Sequence, residues 1–158
     1  MIRELVKHDV KAMFAFCQAL KNEGAIMSFV EVERPEEVMA WIMSETEHIF
    51  GMWENDELIA VLKAKQGKSY KKHSVFMTAA VKQSHRGKGL IVTLSDYVYP
   101  LLRDRGIKIA RAYIYSDNEG SVSAAKKDGF VYSGCVKMHH YNKDKEIWVD
   151  DLIFHKLL

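Results

Sequence analysis

The sequence predicts one α+β domain over residues 1–158, with a mixed, mostly antiparallel sheet of six or seven strands flanked by about four helices. Three observations carry that prediction. Short runs with strand patterning outnumber helical runs, and two pairs of them are joined by tight turn residues. A strand–helix–strand unit in the second half makes the sheet mixed. A chain of 158 residues, 48% of them hydrophobic, supports one substantial core; two smaller domains would need staples, and the only cysteines are Cys17 and Cys135.

Residues 1–7 form a short first strand in this reading, and Asp9 offers a side-chain acceptor to the free N–H groups of a following helix. Val10, Met13, Phe14, Cys17 and Leu20 recur at helical spacing, so 10–22 is an amphipathic helix, stopped at Gly24. Pro35-Glu36-Glu37 opens a second helix: proline loses no needed N–H there, and carboxylates suit the positive end of the macrodipole. Val38, Trp41, Ile42 and Glu45 continue its period. Residues 48–54 and 57–65 make a hairpin around Asn55-Asp56. Residues 74–81 are a nearly continuous apolar run, expected of a strand buried on both faces. A polar loop with two glycines follows, then Ile91, Leu94, Val98, Leu101 and Leu102 at helical spacing up to Arg105-Gly106. Pro100 falls inside this helix and predicts a bend near its far end. Residues 107–115 are a strand, Asp117-Asn118 caps a short helix ending at Asp128-Gly129, and 130–141 and 145–157 pair around Asn142-Lys143-Asp144.

Composition excludes several classes. No transmembrane run occurs, and the charged start lacks the apolar stretch of a signal peptide, so a cytoplasmic protein with reduced thiols is expected. Net charge is +2, too small to argue for nucleic acid, and the basic cluster from Lys63 to His73 reads as a solvated hairpin tip. Metal binding is not expected: the cysteines match no ligand spacing, and strand neighbours such as His139 and His140 point to opposite faces. Cys135 has no adjacent activating group and reads as inert.

The informative stretch runs from Val75 to Leu102. An apolar strand enters Lys82-Gln-Ser-His-Arg-Gly-Lys-Gly89, and a helix follows at once. Helix starts present unpaired N–H groups and partial positive charge, and glycine lets backbone approach a ligand closely. Such junctions bind diphosphates. Neither GxxxxGK[ST] nor GxGxxG is present, so this is not a Walker or dinucleotide loop. Arg86-Gly87-Lys88-Gly89-Leu90-Ile91 resembles the pyrophosphate loop of the GCN5-related N-acetyltransferases (GNAT), whose pattern is Gln/Arg-x-x-Gly-x-Gly/Ala. Arg86 and Gly89 match. Ile91 departs: its side chain either narrows the approach of pantetheine or phosphate, or points at the core and leaves only its N–H in use. Asn118, Gly129 and Phe130 match the family's Asn-x-x-Ala…Tyr…Gly-Phe segment in spacing, with Ser121 in place of Ala and Ala125 where a tyrosine often serves as general acid. The element order follows the family over nearly the whole chain.

The resemblance implies an acyl-CoA N-acyltransferase-like fold and acetyl-coenzyme A as cosubstrate, without a metal. It places the cosubstrate in an opening between strands 74–81 and 107–115. Backbone near Ala79, Ala80 and Val81 would pair with pantetheine and donate to the developing oxyanion. The N–H groups of Arg86, Gly87, Lys88, Gly89, Leu90 and Ile91 would hold the diphosphate, and Asn118 would add a contact. A thiol with a pKa of roughly 8.5 leaves without much help near neutral pH, so absence of the usual tyrosine is tolerable. Tyr132 and Tyr115 are candidate replacements, with Tyr113 a third, and Glu31 or Glu33 could serve as base through water. The segment 31–47 holds six glutamates against Arg34 and could form a negative rim for a cationic acceptor. The expected partner is a small-molecule or peptide amine, and a homodimer through the final strands is possible. Two other readings remain: a coenzyme A-binding module with little transfer, favoured by Ala125 and Ile91, and an O-acyl or longer-chain transferase on the same scaffold.

Overall fold

A computed structural model describes residues 1–158. In chain order the elements are β1 (Ile2–Glu4), α1 (Val10–Asn22), α2 (Pro35–Ile42), β2 (Glu47–Glu54), β3 (Glu57–Gln66), β4 (Ser74–Val81), α3 (Leu90–Asp104), β5 (Ile109–Tyr115), α4 (Glu119–Lys127), β6 (Val131–Asn142) and β7 (Ile147–Leu157). The seven strands form one sheet in the order β1-β2-β3-β4-β5-β7-β6, antiparallel throughout except for the central β4–β5 pair. That parallel pair is the strand–helix–strand unit, with α3 as its crossover.

Both faces of the sheet are covered. Phe50, Leu62, Val75, Met77 and Phe154 pack with Leu94, Val98 and Leu102 of α3 on one face. Ile49, Leu58, Val61 and Ala80 pack with Met13, Phe16, Cys17 and Leu20 of α1 and Val38 of α2 on the other. Alternation along each strand sends successive side chains into these two cores in turn. Cys17 is fully buried, and burial pushes its thiol up to about 12, so it is an inert core thiol.

Several expectations change in the folded chain. The first strand is three residues long, and Asp9 does not cap α1. Asp9 has near-helical backbone angles (φ −87°, ψ −1°), and its carboxylate instead accepts from the Arg3 guanidinium at 2.8 Å and the Val6 N–H at 2.8 Å. α1 ends as expected: Gly24 adopts φ +77°, and the Ala25 N–H returns to the Leu20 carbonyl at 3.1 Å. α2 stops at Ile42, before Glu45, because Ser44 offers its hydroxyl to the Thr46 N–H at 3.2 Å and draws the backbone into a turn. β4 is not buried on both faces. Phe76 is 37% exposed because the α1-side core reaches β4 only at Ala80, and Thr78, Ala79 and Val81 are half-buried where β5 no longer runs beside the strand.

Candidate active site

The site begins where β4 and β5 part. The two strands are paired only at Ser74–Ile109, Val75–Ala110 and Phe76–Arg111; beyond Phe76 they separate. Alternation fixes which backbone groups this exposes. The His73 carbonyl accepts from Lys108 on the β5 side at 2.7 Å, and the Lys82 N–H donates to Ile59 on the β3 side at 2.8 Å. The N–H and C=O groups of Met77, Ala79 and Val81 therefore face the gap, and those of Ala80 face β3. Ala80 thus offers no backbone group to the gap, and its side chain lies in the core beneath α1. Met77 is the residue that sequence reasoning missed. Its signal is the register of β4 against both neighbours, which the sequence does not display.

At the end of β4, a short turn over Gln83–His85 leads to Arg86, Gly87, Lys88 and Gly89, and α3 starts at Leu90. Gly87 and Gly89 both take left-handed angles, φ +78° and +71°, and a Cβ on either would meet nothing within 4 Å. Backbone conformation, rather than crowding, is what requires glycine there. The first helical bond of α3 runs from the Thr93 N–H to the Gly89 carbonyl at 3.2 Å. No side chain caps this terminus, and no amide from residue 87 to 92 donates a hydrogen bond within the protein. The Arg86 side chain is engaged elsewhere: its Nε donates to the Val81 carbonyl at 3.0 Å, and its Nη2 pairs with Glu23 of α1. Lys88 makes no ion pair within the chain. The side chains of Leu90 and Ile91 pack against the α3-side core, so Ile91 presents only its backbone to the loop.

Across the gap, Asn118 Oδ1 accepts from the Ser121 N–H at 3.1 Å and starts α4, as its spacing predicted. Ala125 packs against the core. A cleft of about 520 Å³ runs along α4 past Ser116, Glu119, Val122, Lys126 and Lys127 to Leu152.

The tyrosines named from sequence are not brought together. Tyr132 lies on the outer strand β6, 53% exposed, edge-on to Phe154 at 5.9 Å on the α3 side of the sheet. Tyr113 packs edge-on against Phe76 at 4.8 Å, and Tyr115 follows it on the same side of β5, toward α1 and α2. Burial raises the Tyr115 phenol pKa above its ordinary value, and the charges of Asp151 and Glu31 add to the rise.

Around Tyr115 the alternation argument for His139 and His140 fails. The β6–β7 register shifts between Val136 and His140, and Met138 takes φ +49°. The bulge places both rings on one side: His139 stacks on Tyr115 at 5.8 Å, His140 meets it edge-on at 4.6 Å, and the two imidazoles are 5.6 Å apart. No group of three or more His, Cys, Asp or Glu residues is placed to hold a metal ion. Asp151, paired across the strands with Tyr115, is 7% exposed, and burial raises its pKa while His139 and His140 pull it down. Asp151 Oδ1 and His140 Nε2 are buried without a hydrogen-bond partner.

An acid whose folded-state pKa is raised binds its proton more tightly in the folded state, so its contribution falls as pH rises from the unfolded value through the folded one. Asp151→Asn is therefore expected to raise the thermal unfolding midpoint at pH 7 and to change it little at pH 4, measured by calorimetry at both pH values.

Of the acidic segment, Glu37 accepts from the Glu33 and Arg34 amides at 2.9 and 2.8 Å, and Glu47 pairs with Lys63 at 3.2 Å. These two carboxylates serve the fold. Glu31, on the turn Ser28–Glu31, remains near Tyr115.

No helix is long and apolar enough to cross a membrane. Residues 2–153 match the family profile described as an acetyltransferase (GNAT) domain. Among solved structures, an acetyltransferase of the GNAT family from Streptococcus pneumoniae superposes with a TM-score of 0.89 at 17% identity, over 100% of this chain and 99% of that one. A ribosomal-protein-alanine N-acetyltransferase from Brucella melitensis gives 0.83 at 21% identity, over 100% and 99%. The yncA structure from Salmonella typhimurium, with its cofactor acetyl-CoA, gives 0.83 at 21% identity, over 100% and 93%. These likenesses speak for the fold. A comparison with curated protein sequences finds no match.

Proposed function

The chain belongs to the GNAT acetyltransferase family, and on that footing we propose that it moves the acetyl group of acetyl-coenzyme A to a primary amine by direct attack. As a GNAT domain it is an acyltransferase. One observation carries the reading further: the unbonded amides of residues 87–92 lie at the end of the same strand whose Met77, Ala79 and Val81 backbone faces the gap. A diphosphate needs several convergent donors, and an α3 start without a capping side chain supplies them with the positive end of the macrodipole. The residues present therefore fit coenzyme A.

In this reading the amides of Gly87 to Val92 hold the diphosphate, and Lys88, which makes no ion pair within the chain, adds positive charge there. Arg86 braces the start of the loop instead: its side chain donates to the Val81 carbonyl and pairs with Glu23, and its N–H returns to the Gln83 carbonyl, so the expected Arg86 amide is not free for the diphosphate. The Ala79 backbone groups and the Val81 N–H hold the pantetheine arm, and Asn118 shapes the opposite wall by starting α4. When bound, the cosubstrate supplies an activated acetyl thioester. The chain's contribution is to donate from the β4 backbone as charge grows on the carbonyl oxygen, and to accept the proton that the amine loses. Tyr132 and Tyr115 keep separate roles to test: Tyr115 lines the gap on the α1 side, and Tyr132 stands at the outer edge. Exposed Val136, Met138, Tyr141 and Trp148 on the final two strands support a homodimer through that edge.

The test mixes protein, acetyl-coenzyme A and a panel of primary amines and follows free thiol. Thiol release that depends on an amine is expected. Thermal stabilisation by coenzyme A with no release across the panel would replace the enzyme reading with a coenzyme A-holding module.

A further inference from the structure

We propose that His139 is the group that takes the proton from the attacking amine, with the buried Asp151 carboxylate stabilising the imidazolium that forms. The inference rests on the amine-transfer reading and adds the residue that completes its proton balance. It is argued from where the bulge puts the rings.

β6 lies two strands away from β5, with β7 between them, so a regular β6 side chain starts about 10 Å from β5. The His139 ring nevertheless stacks on Tyr115 of β5 at 5.8 Å. The bulge between Val136 and His140 carries it there. The bulge is held in place: Asp150 Oδ1 accepts the Met138 N–H at 2.9 Å, Asp150 Oδ2 pairs with Lys137 at 2.8 Å, and Met138 sits at φ +49°, an angle non-glycine residues seldom adopt. Tyr115 lies where β5 has left β4, and the ring stacked on it lies on the same side of the sheet, toward α1 and α2. His139 is exposed and can meet an amine; His140 is packed edge-on against Tyr115 with its Nε2 buried.

Asp151 supplies the second observation. Its carboxylate is buried, and Oδ1 has no donor in the protein. Buried carboxylates are normally satisfied, and one left open on the face of the sheet that carries both imidazoles is suited to a charge that appears only during reaction. Both imidazoles act on Asp151 electrostatically, His139 more strongly than His140. The titratable groups facing His139 are Asp151 of β7, Tyr115 of β5, His140 of β6 and, beyond Tyr115, Glu31 of the turn that follows α1.

The step balances as follows. The amine nitrogen forms a bond to the acetyl carbon, the C–S bond breaks, and its electron pair leaves on sulfur as thiolate. The proton lost by the nitrogen goes to the His139 imidazole, and the thiolate takes a proton from solvent. Asp151 is a positioning residue, since it acts through the imidazole.

Two measurements decide the proposal. With the best amine of the panel, His139→Gln is expected to lower kcat about 100-fold or more with the acetyl-coenzyme A KM unchanged, and to remove the acidic limb of the pH profile. Asp151→Asn should lower kcat less and move that limb to lower pH, because the imidazolium loses its counter-charge. Separately, NMR of the protein without substrates should show the His139 ring signals shift in Asp151→Asn, as they must if the carboxylate acts on the imidazole. Wild-type rates in His139→Gln, or His139 ring signals identical in both proteins, would overturn the proposal. A wild-type protein that acetylates no amine would sink the amine reading instead, and the NMR comparison would still decide whether Asp151 and His139 are coupled.

Discussion

Gly89→Glu is expected to weaken coenzyme A binding at least 100-fold by titration calorimetry, with only a modest loss of stability. Two effects act at this position. Gly89 is left-handed at φ +71°, an angle that costs an L-residue about 1–2 kcal/mol. A carboxylate at the first turn of α3 recovers about 0.3–1 kcal/mol through the macrodipole. The unliganded fold therefore loses about 1 kcal/mol, a shift of about 2–4 °C in Tm. Binding suffers more. A unit negative charge about 5 Å from one phosphate repels it by about 3 kcal/mol at an effective dielectric near 20. Each 1.4 kcal/mol is about tenfold in affinity, so this alone gives about 100-fold, and the diphosphate carries further charge. Open space around the Gly89 Cβ means the new side chain is not expelled by a clash. Gly89→Ala carries the conformational cost without the charge and should bind within about tenfold of wild type. Gly89→Glu with unchanged affinity would remove the diphosphate from the start of α3.

Much of this architecture was legible in the sequence because its signals are local. The spacing of Val10, Met13, Cys17 and Leu20 predicts α1 to the residue, and Asn118 starts α4 as read. Gly87 and Gly89 likewise declare a junction, since left-handed angles select glycine. What escaped depends on register. Whether 77, 79 and 81 or 78 and 80 face the gap is settled by pairing with β3 and by where β5 departs, and neither leaves a mark on β4 itself. Asp9 looked like a cap because its sequence position fits one, but Arg3 arrives from β1 and takes the carboxylate. His139 and His140 were dismissed by strict alternation, which holds only while a ladder stays regular. The bulge that defeats it is pinned by Asp150, 12 residues along the chain from Met138, so no local pattern announces it.

Asp128→Ala is expected to destabilise the protein by about 3 kcal/mol or more and to weaken coenzyme A binding as a consequence. Asp128 closes α4, yet its 7%-exposed carboxylate joins three elements. Tyr99 of α3, 5% exposed, donates its phenol to Oδ2, and Lys156 of β7 lies 3.4 Å from Oδ1 while also donating to the Asp128 carbonyl. The Lys156 ammonium stands 4.3 Å from the Tyr99 ring centre. Burial, with the hydrogen bond to Asp128 next, holds the Tyr99 phenol in its neutral donating form. Removing the carboxylate leaves a buried hydroxyl unpaired and a lysine, 24% exposed, without its counter-ion. Breaking a fully buried pair costs about 3–5 kcal/mol, and partial exposure of Lys156 places this one at the lower end. At about 2–4 °C per kcal/mol, Tm should fall by around 10 °C. Tyr99→Phe should cost about 1 kcal/mol, because Asp128 keeps Lys156. The double variant should cost less than the sum, since the phenol no longer needs a partner once it is gone. α3 carries the diphosphate amides and α4 the opposite wall, so a slack joint between them widens the cleft that both must line. Strict additivity in the cycle, or a Tm within about 2 °C of wild type for Asp128→Ala, would show that packing alone holds α3 to α4.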